Sequence, residues 1–290
     1  MLKFLSRHIS KIGVIGAGQM GTGIAIVTSN SAKLPVILFD SNPVQAQKSE
    51  SFLQDWLQKK LKKNEISDPD NFKSRISYSS DLSKVSECDF VIEAISEDFS
   101  AKSSLFSKLS PYLTQTTILA SNTSSISITK LAGISKHPEN VIGMHFMNPV
   151  PVMTLVEVIK GLQTSPETLK STLDLSKKME KVCTESLDRP GFIANRVLMP
   201  YINEAIQVLN EGIATKEDID STMKLGTNVP MGPLQLADFI GLDTCLSIMR
   251  VLHSEIGDSK YRPSTLLVNY VNAGWLGKKS GKGFYEYKKN

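Results

Sequence analysis

The sequence predicts an α/β fold, with an N-terminal domain of alternating strands and helices over residues 11–187 and an all-α C-terminal domain over residues 188–290. Three observations carry this prediction. Residues 12–40 read as strand, glycine-rich turn, helix, strand. Further short apolar runs at 90–95 and 118–120 each end in polar residues, as strands of open α/β sheets do where they meet ligands. After about residue 187, apolar residues recur at helical spacing.

The chain has 290 residues, enough for two domains and a sizeable core. It is 41% hydrophobic and 21% charged, the balance of a globular enzyme. No apolar run approaches the roughly 18–20 residues of a membrane span, so no such span is expected. The formal charge of +4 is mild. It gives no sign of a nucleic-acid partner and suits a small anionic substrate. Cys88, Cys183 and Cys245 are scattered without metal-type spacing, which predicts no metal site and fits a reducing compartment.

Residues 1–10, MLKFLSRHIS, precede the first strand. They carry Lys3, Arg7 and His8, no acid, and the apolar Leu2, Phe4, Leu5 and Ile9. This is the composition of a short mitochondrial presequence, and the alternative is a frayed basic tail. The first reading places the protein in the mitochondrial matrix, the second in the cytoplasm.

Ile12, Val14 and Ile15 form the first strand. Gly16, Gly18 and Gly21 follow as G-x-G-x-x-G, Met20 to Val27 continues at helical period, and Val36 to Phe39 is a second strand ending in Asp40. This context makes the motif a Rossmann-type dinucleotide fingerprint rather than a glycine turn that binds nothing. Gly16 permits the tight turn, Gly18 lets a pyrophosphate approach the backbone, and Gly21 lets helix and strand pack closely. Gln19 and Met20 open the helix whose N-terminal N–H groups meet the phosphates. Asp40 accepts the two ribose hydroxyls and repels an extra phosphate, and Ser41 and Asn42 supply no arginine. NAD is therefore the expected cofactor.

Residues 44–63 read as a helix with Leu53, Leu57 and Leu61 on one face. Lys59, Lys62 and Lys63 lie off that face, either as a solvated surface or as a site for substrate phosphates. Phe90 to Ile95 is expected as a strand. Glu97 follows at its C-terminal end and Lys102 begins the next helix. Each is either a contact to the nicotinamide ribose or a surface charge. Ile118 to Ala120 runs into Asn122, Ser124 and Ser125, which are either an N-cap cluster or part of a site.

Residues 142–159, IGMHFMNPVPVMTLVEVI, hold the most informative pair. Glu157 is a lone carboxylate in an apolar strand-like run, and a buried acid there requires a partner. His145, twelve positions earlier, supplies it. A histidine oriented by a carboxylate is a general base. With the dinucleotide motif, the pair points to a dehydrogenase.

In the second domain, Pro190 and Gly191 punctuate the entry to a helical pattern over 189–212, where Pro200 is expected to kink the helix. TKEDIDSTM (215–223) opens as a capping box, 238–257 reads as one amphipathic helix, and the tail from Trp275 as a basic, glycine-broken loop with an aromatic anchor. Asn195, near the start of the first helix, is either a site residue or an ordinary capping or solvent-facing amide.

The chain resembles the 3-hydroxyacyl-CoA dehydrogenases of the monofunctional, short- to medium-chain type, including the 3-hydroxybutyryl-CoA dehydrogenases. The resemblance covers nearly the whole chain and rests on GAGQMGTGIA (16–25), VIEAISED (91–98), SNTSSISIT (121–129), GMHFMNPVPVM (143–153), LVEVIKG (155–161), RPGFIANRVLMP (189–200), VPMGPLQLAD (229–238), IGLD (240–243) and GKKSGKGFYEY (277–287). It implies that His145 is the catalytic histidine, Glu157 its paired carboxylate, Ser124 a substrate-contacting serine and Asn195 the asparagine that completes the site. It implies NAD contacts from Asp40, Glu97, Lys102, Asn122 and Asn148, and places Lys63 near the CoA phosphates of an acyl-CoA substrate. A homodimer formed through the helical domain is also implied, as is a place in fatty-acid β-oxidation or butanoate metabolism. Asn228–Val229 depart from the variant common before the MGP turn, which bears on acyl-chain preference. Two rival readings remain: a lambda-crystallin-like dehydrogenase of a small hydroxy acid or sugar acid, and a non-catalytic NAD-binding protein. The HFMNPVP and SNTSS strings argue against the first, and the intact set of His145, Glu157, Ser124 and Asn195 against the second.

Overall fold

The computed structural model of the chain describes residues 6–66 and 68–288. The chain divides into two units, the first ending at Arg189 and the second beginning at Pro190. In the first unit the chain runs β1 (Ile12–Ile15), α1 (Gln19–Asn30), β2 (Val36–Phe39), α2 (Pro43–Lys62), α3 (Pro69–Ser74), β3 (Ile76–Ser79), β4 (Phe90–Glu93), α4 (Phe99–Leu109), β5 (Ile118–Ser121), α5 (Ile128–Ala132), β6 (Val141–Phe146), β7 (Leu155–Lys160), α6 (Pro166–Lys178) and β8 (Val182–Leu187).

The strands form one sheet in the order β3-β2-β1-β4-β5-β6-β7-β8. Strands β1 to β6 are mutually parallel. β7 then pairs antiparallel with β6, and β8 pairs parallel with β7. Strand order reverses between β1 and β4, the point at which such Rossmann-type sheets bind ligands beyond the strand ends. β1, β2, β4 and β5 are buried at every position, so both sheet faces are covered, which is why their sequences IGVI, VILF, FVIE and ILAS run apolar without alternation.

Local chemistry sets the element ends. Asn42 accepts the Val44 N–H and Pro43 sits in the first turn, so α2 begins there. Leu53 and Leu57 of α2 pack with Ile26 and Phe72 in a satellite core. β4 stops at Glu93, two residues short of the expected end, because the Glu93 carboxylate turns back to accept the Ile95 N–H at 2.8 Å. β3 and β8 were not foreseen. Both are edge strands, and β8 (VCTESL) has no fully buried position, so neither carries an apolar pattern. The short or polar helices α3, α5 and α6 also lack a strong signal.

Of the expected tail, residues 1–5 lie outside the described residues, but residues 7–10 are attached to the first unit. Arg7 donates to the Thr116 carbonyl and to Asn140 Oδ1, each at 2.8 Å. The Ser10 N–H and hydroxyl both donate to Asp89 Oδ2. Ile9 is 5% exposed and belongs to the main core. A frayed segment makes none of these contacts, and removal of residues 1–10 would strip all of them.

The second unit is helical: α7 (Ala194–Asn210), α8 (Lys216–Gly226), α9 (Pro233–Ile240), α10 (Leu242–Ile256) and α11 (Thr265–Asn272). Its own core gathers Met199, Ile202, Leu234, Leu246, Met249 and Leu267. α7 runs continuously through Pro200. The single helix expected over 238–257 is two, α9 and α10, because Gly241 takes φ +103, which breaks the helical path. Thr215 accepts the Asp218 N–H and donates to its carboxylate, forming the start of α8. Phe284 in the tail is buried in the helical core, and Asp238 accepts the N–H groups of Phe284 and Tyr285. No helix among the described residues is long and apolar enough to cross a membrane.

Ile9 tests whether the N-terminal segment is part of the folded unit. Ile9→Ala is expected to lower the unfolding free energy by about 2–5 kcal/mol in urea titration, the usual cost of that truncation in a core. An unchanged midpoint would mean that the segment is dispensable.

Candidate active site

The glycine turn lies at the strand-order reversal. Gly16 has φ +105, and a Cβ there would lie 2.5 Å from the Ala94 carbonyl oxygen of the neighbouring β4 end. A Cβ at Gly21 would lie 1.8 Å from the Gly16 oxygen. Both positions therefore require glycine. Gly18 differs, since nothing lies within 4 Å of where its Cβ would be. The open space at Gly18, rather than crowding, fits the close approach of a pyrophosphate. No side chain caps the α1 N-terminus, and its first turn carries no acid that would repel an anion.

Asp40 is oriented by two backbone donors, Ala17 N–H to Oδ2 at 2.8 Å and Asn42 N–H to Oδ1 at 2.9 Å. Gly16, Asp40, Ser41 and Ile95 line a cavity of about 380 Å³ together with Ser104 and Lys108 of α4. These residues fit a dinucleotide, with the phosphates at the turn and a ribose at Asp40. Gln19 donates its side-chain amide to Asn148 Oδ1 at 3.0 Å, which brings two expected cofactor contacts together. Met20 is half-buried at the start of α1.

At the far side of the sheet's reversal, His145 on β6 stands directly opposite Glu157 on β7. Residues in register across an antiparallel pair point to the same face. His145 Nδ1 lies 2.7 Å from Glu157 Oε2. The Glu157 side chain is 1% exposed and that of His145 12%. An ionised carboxylate only accepts hydrogen bonds, so Nδ1 carries the proton and Nε2 is the unprotonated nitrogen of the neutral ring. Asn122 accepts the Phe146 N–H at 2.9 Å and so fixes the residue beside His145.

A second ionic system occupies the ends of β4 and β5. Lys102 was weighed as a cofactor contact or a surface charge, and its burial excludes the second. Its side chain is 0% exposed, with its ammonium 2.5 Å from Glu93 and 3.5 Å from Glu97. Glu93, which the sequence reading passed over, anchors this buried system. Its signal was present, a lone carboxylate in the apolar run FVIEAI.

Glu97 Oε1 accepts five donors: the Thr123 hydroxyl, and the N–H and hydroxyl of both Ser124 and Ser125. The polar cluster at 122–125 is thus both a structured turn and the place where Ser124 is presented. Burial pushes the Glu97 carboxyl up, but the Lys102 charge and the hydrogen bonds from Thr123 and Ser124 outweigh it and hold the group below the usual carboxylate range.

Two further expected site residues lie on other elements. Lys63 is exposed at the C-terminal cap of α2. Asn195 lies in the first turn of α7 in the second unit and is 8% exposed.

Residues 11–188 match the family model described as 3-hydroxyacyl-CoA dehydrogenase, NAD binding domain, and residues 191–287 match that of its C-terminal domain. The chain is 54% identical to a probable 3-hydroxybutyryl-CoA dehydrogenase of Bacillus subtilis, over 97% of this chain and 98% of that protein. It is 42% identical to the mitochondrial hydroxyacyl-coenzyme A dehydrogenase of Sus scrofa, over 99% of this chain and 93% of that protein. The crystal structure of the (S)-3-hydroxybutyryl-CoA dehydrogenase of Ralstonia eutropha superposes with a TM-score of 0.95 at 44% identity, covering 97% of this chain and 100% of the other.

The lowered Glu97 value has a definite sign in stability. A carboxyl depressed in the folded state contributes stability above its unfolded value of about 4.3, and that contribution is lost as pH falls through the folded value. The gap in urea midpoint between wild type and Glu97→Gln is therefore expected to be widest above about pH 5 and to close in stronger acid. A gap that stays constant with pH would show that the Glu97 charge is not what holds the turn.

Proposed function

The chain belongs to the 3-hydroxyacyl-CoA dehydrogenase family and is an NAD-dependent oxidoreductase, and on that premise we propose that it interconverts a (3S)-3-hydroxyacyl-CoA and the 3-oxoacyl-CoA with His145 as general base. The observation that carries this reading is the in-register His145–Glu157 pair at 2.7 Å.

In the oxidative direction the C3 hydroxyl must lose its proton as the C3–H bond breaks. His145 Nε2 accepts that proton, and the C3–O bond becomes a carbonyl. Glu157 holds Nδ1–H, keeps Nε2 available and offsets the imidazolium charge that develops, the division of labour of a catalytic triad. NAD, when bound, takes the hydride from C3. Ser124 and Asn195 are assigned as donors to the substrate oxygen or the thioester carbonyl, where preorganised hydrogen bonds stabilise alkoxide-like character. Gly16, Gly18, Gln19, Met20 and Gly21 hold the pyrophosphate, Asp40 the ribose, and Glu97, Asn122 and Asn148 the nicotinamide end, with Lys102 acting through Glu97. Lys63 is assigned to the CoA phosphates.

The substrate class is supported by the names of the relatives, which point to short acyl chains such as 3-hydroxybutyryl-CoA. β-Oxidation and butanoate metabolism both use this step. A homodimer is the assembly we assign. It is supported in the second unit by the exposed Val197, Ile213 and Leu225 and by an apolar groove of about 320 Å³ lined by Tyr201, Ala205, Val208, Ile219 and Met223. Bacterial and mitochondrial relatives lie on the two sides of the localisation question, and the contacts of Arg7, Ile9 and Ser10 make residues 7–10 part of the folded unit.

The purified protein is expected to oxidise NADH rapidly with acetoacetyl-CoA and not with free acetoacetate, and to use NADPH poorly. His145→Ala and Glu157→Gln are each expected to lower kcat about 10²-fold or more while NADH affinity changes little. Near-normal turnover in either variant would sink the assignment of the base, and turnover of the free keto acid alone would favour the hydroxy-acid enzyme.

A further inference from the structure

We propose that Glu93 is a positioning residue of the reaction, holding Lys102 so that Lys102 fixes Glu97 and Glu97 fixes the 123–125 turn that presents Ser124. The proposal rests on the reading of Ser124 as a substrate contact.

Glu93 ends β4 and is 0% exposed. It is in register with Ile15 of β1, which precedes the glycine turn, and with Ser121 of β5, which precedes the serine-rich turn. Both its oxygens are occupied. Oε1 accepts from Lys102 Nζ at 2.5 Å and from Ile95 N–H at 2.8 Å, and Oε2 accepts from the Ser121 hydroxyl at 2.5 Å. One carboxylate thus joins the segment leaving β4, through Ile95 and Lys102, to the end of β5 at the ligand-binding end of the sheet.

The distances divide the roles. Lys102 lies 2.5 Å from Glu93 and 3.5 Å from Glu97. Glu93 therefore fixes the ammonium, and the ammonium holds Glu97 Oε2. The other oxygen of Glu97 is then directed at the turn, where the N–H and hydroxyl donors of Thr123, Ser124 and Ser125 converge on it. Such convergence leaves the turn little freedom once Glu97 is set. Without the Glu93 charge, a buried ammonium keeps a single carboxylate, and the attraction between them draws Glu97 inward and away from the turn. Ser124 moves with it, and a displacement of about 1 Å at a positioning group is enough to lower turnover about 10²-fold.

Packing alone does not require this arrangement. Replacing a buried ion pair with apolar residues of similar volume is often neutral or stabilising. That difference supplies the test. Glu93→Gln is expected to lower Tm, because it strands the Lys102 charge. The double variant Glu93→Gln/Lys102→Met removes that charge and is expected to recover most of the Tm. If Glu93 positions Glu97, both variants keep kcat with acetoacetyl-CoA and NADH at least about tenfold below wild type. By hydrogen exchange, the 123–125 turn loses protection in both, while β1 and β5 keep theirs. Should the single variant fail to fold, the double variant carries the test.

Recovery of wild-type turnover together with Tm in the double variant, or unchanged protection of residues 123–125, would overturn the proposal. Wild-type turnover in the same assay separates the possible failures. An inactive wild type sinks the functional reading, while the exchange measurement still decides the link from Glu93 to the turn. An active wild type with fully active variants sinks only the role of Glu93.

Discussion

The constraint on which the site depends is the burial of the Glu157 carboxylate in the one antiparallel step of the sheet. A carboxylate that is 1% exposed in an apolar strand is unfavourable unless it is paired and hydrogen-bonded. The chain meets that demand through topology. After the parallel run from β1 to β6, the chain turns back on itself, so that β7 lies antiparallel beside β6 and Glu157 falls in register with His145. A parallel β7 would need a crossover of about a dozen residues or more, which the short stretch 147–154 between β6 and β7 does not supply. The reversal that stabilises the acid is therefore also what orients the base.

Two ionic systems flank the strand ends, and they solve burial differently. Glu157 has a titratable partner, whose ring exchanges a proton in the proposed mechanism. Glu93 has Lys102, a permanent partner with no exposure, so that pair is rigid. Between them lie Asn122, bonded to the backbone of Phe146, and the turn gathered by Glu97. In the proposed mechanism His145 changes charge within surroundings whose own charges are held in place, which is the arrangement that preorganised electrostatics requires.

Much of this was legible in the sequence, for physical reasons that differ by residue. The glycine turn and Asp40 were readable because steric demands on Gly16 and Gly21 leave no other residue possible, and the spacing to the acid is set by one strand–helix–strand unit. Glu157 was readable because an acid in an apolar run violates the pattern around it. Glu93 violates its run in the same way and was passed over, since its partner Lys102 lies on a helix and was weighed only as a cofactor contact or a surface charge. The edge strands β3 and β8 were invisible because edge positions face solvent and need no apolar alternation. The break at Gly241 was hidden because the apolar spacing continues across it, and only the positive φ ends the helix.

The central claim is that Glu157 fixes the protonation pattern of the His145 ring. It is tested most directly by the ¹⁵N chemical shifts of that ring in uniformly labelled protein, assigned by comparison with a His145 variant. The account predicts that in the neutral ring Nδ1 resonates as a protonated nitrogen and Nε2 as an unprotonated one. A neutral ring with its proton on Nε2, or one averaging between the two tautomers, would contradict it.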